Sequence, residues 1–171
     1  MTKEMSMHVG FMGEFMVNLN ALTATLLKDL RNKYGISNEQ SSVLLMLSHD
    51  RALTLTEITL RQGVNKAAVS RRVKKLVELK LVEWVHLEYS YDKRLKYIAL
   101  TESGVNYVRE SRRIIADLAS EMLSDIPIDQ IEQTREVLEQ IDQRVKAHLK
   151  KCNTFTMTIR PMNEAVRLKM T

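Results

Sequence analysis

Ser70, Arg71, Lys74 and Lys75 fall at steps of one, three and four, so an α-helix over Lys66 to about Leu79 gathers them on one side together with Ala67. That side is small, hydroxylic and cationic. Small residues let a backbone approach the edges of stacked bases, Ser and Arg hydrogen-bond to base edges, and Lys neutralises phosphates. The chemistry on offer is therefore recognition of a duplex nucleic acid. Asn65 and Lys66 open the same helix, and Val69, Val73 and Leu76 form its other side. Arg72 lies toward that buried side, which suits contact with a carboxylate or a phosphate better than with a base. A surface helix with a merely solvated basic face is the competing reading, and the surrounding elements decide between the two.

A second group is Asp92, Lys93 and Arg94. An arginine on an extended loop beside such a helix can enter a minor groove, where the potential is most negative in A·T-rich DNA. A carboxylate beside it repels phosphate unless it holds a cation. Asp92 is thus expected to orient a basic side chain, with Arg94 or Arg72 as partner; a plain turn-forming role competes with this.

Charge along the chain agrees with where these groups sit. Residues 61–100 carry 10 basic and 4 acidic side chains, net +6, within a chain whose total is +5. Residues 1–60 are at −1 and residues 101–150 at −3, while the tail 151–171 is at +3. A polyanion would be held in the middle.

Catalysis finds little support. No nucleophile comes with a base at motif spacing and no Gly-rich phosphate loop is present, so an enzyme is not expected. His8, His49, His86 and His148 form no short-range metal pair, although ligands can still converge in a fold, and no metal or other cofactor is called for. Cys152 is the single cysteine, which excludes an intramolecular disulfide and is taken as incidental. No apolar run approaches the ~20 residues of a membrane span, and the first ten residues lack the order of a signal peptide. A cytoplasmic protein with no membrane contact is expected.

The elements that must position the basic groups can be read from caps and periodicity. Phe11, Phe15, Leu19, Leu22, Leu26 and Leu30 predict one long helix ending near Tyr34-Gly35. Ser37 with Gln40, then Thr54 with Glu57, have capping-box spacing, in which each side chain satisfies an orphan amide at a helix start. Gly63 suits the left-handed turn past a helix end, and Asn65 is a good N-cap. The short turn Gln62-Gly63-Val64 makes the two helices cross steeply, which is helix-turn-helix geometry. Leu81–Leu87 and Leu95–Leu100 read as a hairpin around a long polar loop. Thr101 caps a helix to about Leu123, and Pro127 starts the last one.

Ile131, Thr134, Leu138, Ile141 and Val145 make a coiled-coil-like stripe on that last helix. Packing on the chain's own core would explain it. Both terminal helices are long and striped, however, and a two-fold dimer is the economical reading, with Phe11, Phe15, Leu19, Ile131, Leu138, Ile141 and Val145 at its interface. In the tail, Phe155, Met157 and Ile159 alternate like a short strand that Pro161 ends.

The stretch from Asp92 through Leu100-Thr101-Glu102-Ser103-Gly104 resembles the signature of the MarR regulators, an Asp-x-Arg followed by Leu-Thr-x-x-Gly. The likeness extends upstream through Thr54–Ile58 and Val69–Leu76 and covers most of residues 11–150. Within the family, the runs Leu22–Leu30, Tyr34–Ser37 and Gly63–Arg72 resemble a branch tied to antibiotic response. The resemblance implies a homodimer joined by its terminal helices that represses promoters with palindromic operators. It also implies release from DNA by small phenolic, aromatic or antibiotic-like ligands. Carried over by position, Ser70 and Arg71 fall in the recognition helix and Arg94 at the wing tip. Two positions depart from the pattern: Arg72 stands where an apolar residue is common, and Lys80 where a glycine usually ends the recognition helix.

The expected architecture is mainly α with a small β-hairpin wing, a winged helix-turn-helix with six helices. Residues 1–34 are a dimerisation helix, 35–101 the DNA-binding region, and 102–150 the helices completing the dimer. Residues 151–171 are expected to be a disordered extension.

Overall fold

The computed structural model of the protein describes residues 3–50, 52–86 and 95–167. Among them are seven helices and three strands: α1 (Lys3–Leu26), α2 (Lys28–Tyr34), α3 (Asn38–Asp50), β1 (Ala52–Thr54), α4 (Leu55–Gln62), α5 (Lys66–Glu78), β2 (Val82–Val85), β3 (Tyr97–Leu100), α6 (Glu102–Met122) and α7 (Ile128–Arg167). The chain divides into two units, Met1–Glu121 and Met122–Thr171.

The seventh helix arises because the expected first helix is two. Leu27, at φ −89° and ψ 7°, separates α1 from α2. The Thr23 and Thr25 hydroxyls donate back to the carbonyls of Leu19 and Ala21, an arrangement that bends helices. One guanidinium nitrogen of Arg31, Nη2, donates to the Ala24 carbonyl at 2.7 Å. Leu27 itself is buried, so the break turns an apolar side chain into the core.

Both capping boxes form. The Ser37 amide donates to Gln40 Oε1 at 2.8 Å, and the Gln40 amide donates to Ser37 Oγ at 3.3 Å. At α4, the Thr54 amide donates to Glu57 Oε2 at 2.7 Å and the Glu57 amide to Thr54 Oγ1 at 3.2 Å. Gly35 and Gly63, at φ 65° and 63°, take the left-handed conformation past their helices.

The core of the first unit is Leu27, Leu30, Val43, Leu44, Leu47, Leu53, Ile58, Val69, Val73, Leu76 and Ile98, with Tyr107 from α6. Helices α2 to α6 and a sheet thus enclose one apolar centre. The sheet is antiparallel in the order β1-β3-β2, which makes the wing three-stranded where the sequence predicts a hairpin. Ile98 of the central strand pairs with Leu53 of β1 and Trp84 of β2. The wing strands are also shorter than expected. Leu81 stays outside β2 because its amide is committed to the Leu76 carbonyl at the end of α5.

In the second unit, α7 begins directly after Pro127 and runs through Arg167. Residues 151–167 therefore continue a helix. This corrects the expected strand around 155–159: a lone strand has no partner to satisfy its amides, whereas a helix satisfies them internally. No helix among the described residues is long and apolar enough to cross a membrane.

Candidate nucleic-acid interface

The helix that carries the candidate basic face is α5, and its orientation begins with its own N-cap. Asn65, extended at φ −71° and ψ 154°, accepts the Ala68 amide on its side-chain oxygen at 2.8 Å. Val69, Val73 and Leu76 are fully buried, so the apolar side of the wheel is pressed into the core. Asn65, Lys66, Ala67, Ser70, Arg71, Lys74 and Lys75 are all exposed. A polar, cationic face is thereby held outward by an apolar face that cannot rotate without leaving the core. Among these cations Lys75 lies 3.7 Å from Glu78 one turn on, a weak surface pair that leaves its charge available.

Arg72 is half-buried, as its place on the wheel requires. Its Nη1 donates to Gln62 Oε1 at 2.6 Å, and Gln62 Nε2 donates to the Glu39 carbonyl at 3.1 Å. Three helices meet through one amide side chain. In the sequence Gln62 is legible only as part of the turn; nothing local marks its contacts, which lie 10 and 23 residues away. The neighbouring Glu39 carboxyl is held below the usual carboxylate range, chiefly by the Ser37 hydroxyl, with a smaller contribution from the Arg72 charge.

The far end of α5 is locked to α6. Lys80 adopts φ 56°, its amide donates to the Val77 carbonyl at 2.9 Å, and the Leu81 amide donates to the Leu76 carbonyl at 3.0 Å. This is the double hydrogen bond of a Schellman ending, with lysine in the left-handed position that favours glycine. Thr101 Oγ1 donates to the Lys80 carbonyl at 2.6 Å and accepts the Gly104 amide at 3.2 Å. A Cβ on Gly104 would stand 2.1 Å from the Leu81 carbonyl oxygen. The Leu-Thr-x-x-Gly stretch is therefore a staple between the end of α5 and the start of α6.

Asp92, Lys93 and Arg94 lie outside the described residues, and so does the expected pairing of Asp92. The terminal-helix residues are placed each within its own unit. On α1, Phe11, Phe15 and Leu19 are 65%, 45% and 49% exposed, and the two phenyl rings stack with centroids 6.3 Å apart. On α7, Leu138, Ile141 and Val145 are exposed and Ile131 is half-buried. Ile131 and Leu138 line an apolar groove of about 820 Å³ together with Leu123 and Ile126. Among the described residues no group of three or more His, Cys, Asp or Glu side chains is placed to hold a metal ion.

Known proteins share both the sequence and the shape. The family model described as MarR family matches residues 34–85, which span α3, β1, α4, α5 and β2. The HTH-type transcriptional regulator TcaR of Staphylococcus aureus is 49% identical over 148 residues, covering 86% of this chain and 97% of the relative. The chain belongs to the MarR family. It is accordingly a DNA-binding transcription regulator with a winged helix-turn-helix fold. Solved MarR-like structures repeat the fold at lower identity. The transcriptional regulator BldR from Sulfolobus solfataricus superposes with a TM-score of 0.64 at 24% identity, covering 84% of this chain and 99% of that one. A mutant MarR from E. coli complexed with operator DNA superposes at 0.56 and 21% identity, over 78% and 95% of the two chains.

Proposed function

We propose that this MarR-family regulator is a repressor that binds palindromic operators as a homodimer, with Ser70 and Arg71 reading base edges in the major groove. The observation that carries the reading is the exposed Ala67-Ser70-Arg71-Lys74-Lys75 face of α5, backed by a fully buried Val69-Val73-Leu76 face. Lys66, Lys74 and Lys75 serve phosphates. Asp92, Lys93 and Arg94 are assigned to the wing tip by the Asp-x-Arg pattern, with Arg94 in the minor groove. The protein acts by binding, not by catalysis, and its DNA target places its work in the cytoplasm.

The dimer is assigned to the terminal helices, residues 1–34 and 102–150. Exposed Phe11, Phe15 and Leu19 on α1 and Leu138, Ile141 and Val145 on α7 support it, since apolar stripes of this length are seldom left in water. Palindromic half-sites follow from two-fold symmetry, one per protomer. Release by small phenolic, aromatic or antibiotic-like compounds is part of the same proposal, and the family resemblance supports it.

Selection of bound duplexes from a random pool, followed by titration at several salt concentrations, tests the reading. An enriched palindrome bound by two chains, with affinity falling steeply as salt rises, is the expected result. Enrichment of no sequence, or binding indifferent to salt, would refute it.

A further inference from the structure

The MarR-type DNA reading leaves Arg72 without a role at the bases, yet its guanidinium sits one residue from Arg71 on the same helix. Its half-buried side chain is held by Gln62, the last residue of α4, at 2.6 Å. Gln62 is in turn held by the Glu39 backbone at 3.1 Å, in the first turn of α3. A primary amide is suited to this place because it accepts from a guanidinium and donates to a carbonyl at once. A carboxylate does only the first, and an apolar side chain does neither.

We infer that Gln62 is a positioning residue for DNA specificity, which sequesters the Arg72 cation against α4 and α3 so that the phosphates beside α5 are met by lysines only. This rests on the DNA-reading function proposed above. Arginine makes strong, forked contacts with phosphate oxygens. An unheld Arg72 on the flank of α5 would therefore add a phosphate contact that carries no sequence information. Non-specific binding would rise while the contacts of Ser70 and Arg71 to bases stayed as they are, so the ratio of specific to non-specific affinity would fall. The clamp thus acts through the charge it withholds.

The test compares the full-length wild-type chain with Gln62→Leu, Gln62→Glu and the double variant Gln62→Leu/Arg72→Leu. Each is titrated with the selected palindromic duplex and with a scrambled duplex of equal length over a series of salt concentrations. For Gln62→Leu the scrambled duplex should bind several-fold more tightly. Its plot of log affinity against log salt should steepen by about 0.9 for each recognition helix that gains a phosphate contact. Gln62→Glu keeps an acceptor for Arg72 and should keep the wild-type slope, and the double variant should return to it. A slope unchanged in Gln62→Leu, or a steeper slope that persists in the double variant, overturns the inference, since lost packing alone would survive removal of Arg72. Should Gln62→Leu not fold, the wild-type slope retained by Gln62→Glu and a slope unchanged in Arg72→Leu alone support the clamp. A shallower slope in Arg72→Leu would show that Arg72 already meets phosphate and would also overturn the clamp. If wild type itself showed no preference for the palindrome, the DNA-reading function would fall, and the inference with it.

Discussion

The hydroxyl of Thr101 donates to the carbonyl oxygen of Lys80 at 2.6 Å, joining the turn after α5 to the N-terminus of α6. In the first turn of that helix, Gly104 lies so close to the Leu81 carbonyl that an added Cβ would come within 2.1 Å of its oxygen. The neighbour is backbone on a tightly bonded turn, so it cannot yield as a flexible side chain would. Gly104→Ala should therefore destabilise the fold by about 2–3 kcal/mol, read as a lower urea midpoint at constant slope. A variant as stable as the wild type would show that the two segments are not pressed together.

Lys80 offers the opposite experiment. A non-glycine residue in the left-handed region costs roughly 1 kcal/mol, and the Schellman hydrogen bonds at 2.9 and 3.0 Å do not involve its side chain. Lys80→Gly should raise stability by about 0.5–1 kcal/mol in the same denaturation assay, part of the relief being offset by the freer unfolded chain. A loss of stability would mean that the lysine side chain contributes something its exposed position does not suggest.

A third prediction concerns pH. Glu110 accepts from Lys33 Nζ at 2.7 Å and from the Tyr34 hydroxyl at 2.8 Å, joining α6 to α2. The Lys33 contact, then the Tyr34 contact, hold its carboxyl below the ordinary value of 4.5. A depressed carboxyl contributes stability that is present above the ordinary value and lost as pH falls through the folded one. The stability gap between wild type and Glu110→Gln should thus be full at neutral pH and close as the solution is acidified below 4.5. Tyr34 is pushed up from 10.0, first by burial and then by Glu110, which has the opposite consequence. Its contribution is present below 10.0 and lost as pH rises through the raised value, so wild type should weaken relative to Tyr34→Phe in strong alkali. Thermal melts across the pH range measure both. A gap that is constant with pH would show that Glu110 and Tyr34 are not coupled to folding.

Helix starts test the capping chemistry. Thr54→Ala removes the hydroxyl that accepts the Glu57 amide and should cost about 1 kcal/mol. Because α4 is only eight residues long and packs beneath α5, fraying at Thr54 should also weaken binding to the palindrome, whereas loss of the Gln62 contact alone should not. A loss in stability with none in affinity would separate α4 from the interface.

Residue order alone makes legible what depends on neighbours in the chain. The boxes at Ser37/Gln40 and Thr54/Glu57, the Asn65 cap and the left-handed Gly63 each close within a few residues, and the structure has all of them. The apolar face of α5 is legible for the same reason, since Val69, Val73 and Leu76 follow the helical period. What escapes is made by distant partners. The three residues of β1 have no strand signal of their own and become a strand only by pairing with β3, where Leu53 lies opposite Ile98, 45 residues further along the chain. The break at Leu27 has no proline or glycine to announce it, and the periodicity runs through it from Leu26 to Leu30. Gln62 is likewise silent in sequence, because its partners Arg72 and Glu39 lie on other helices.

The central claim, that the outward face of α5 reads DNA, is tested most directly by measuring Arg71→Ala and Lys74→Ala against the selected palindrome and a scrambled duplex. Arg71→Ala should lose about 1–3 kcal/mol on the palindrome and little on the scrambled duplex, whereas Lys74→Ala should weaken both alike and make the salt slope shallower by about 0.9 for each α5 helix on the DNA. Unchanged affinity for the palindrome in both variants would contradict the account.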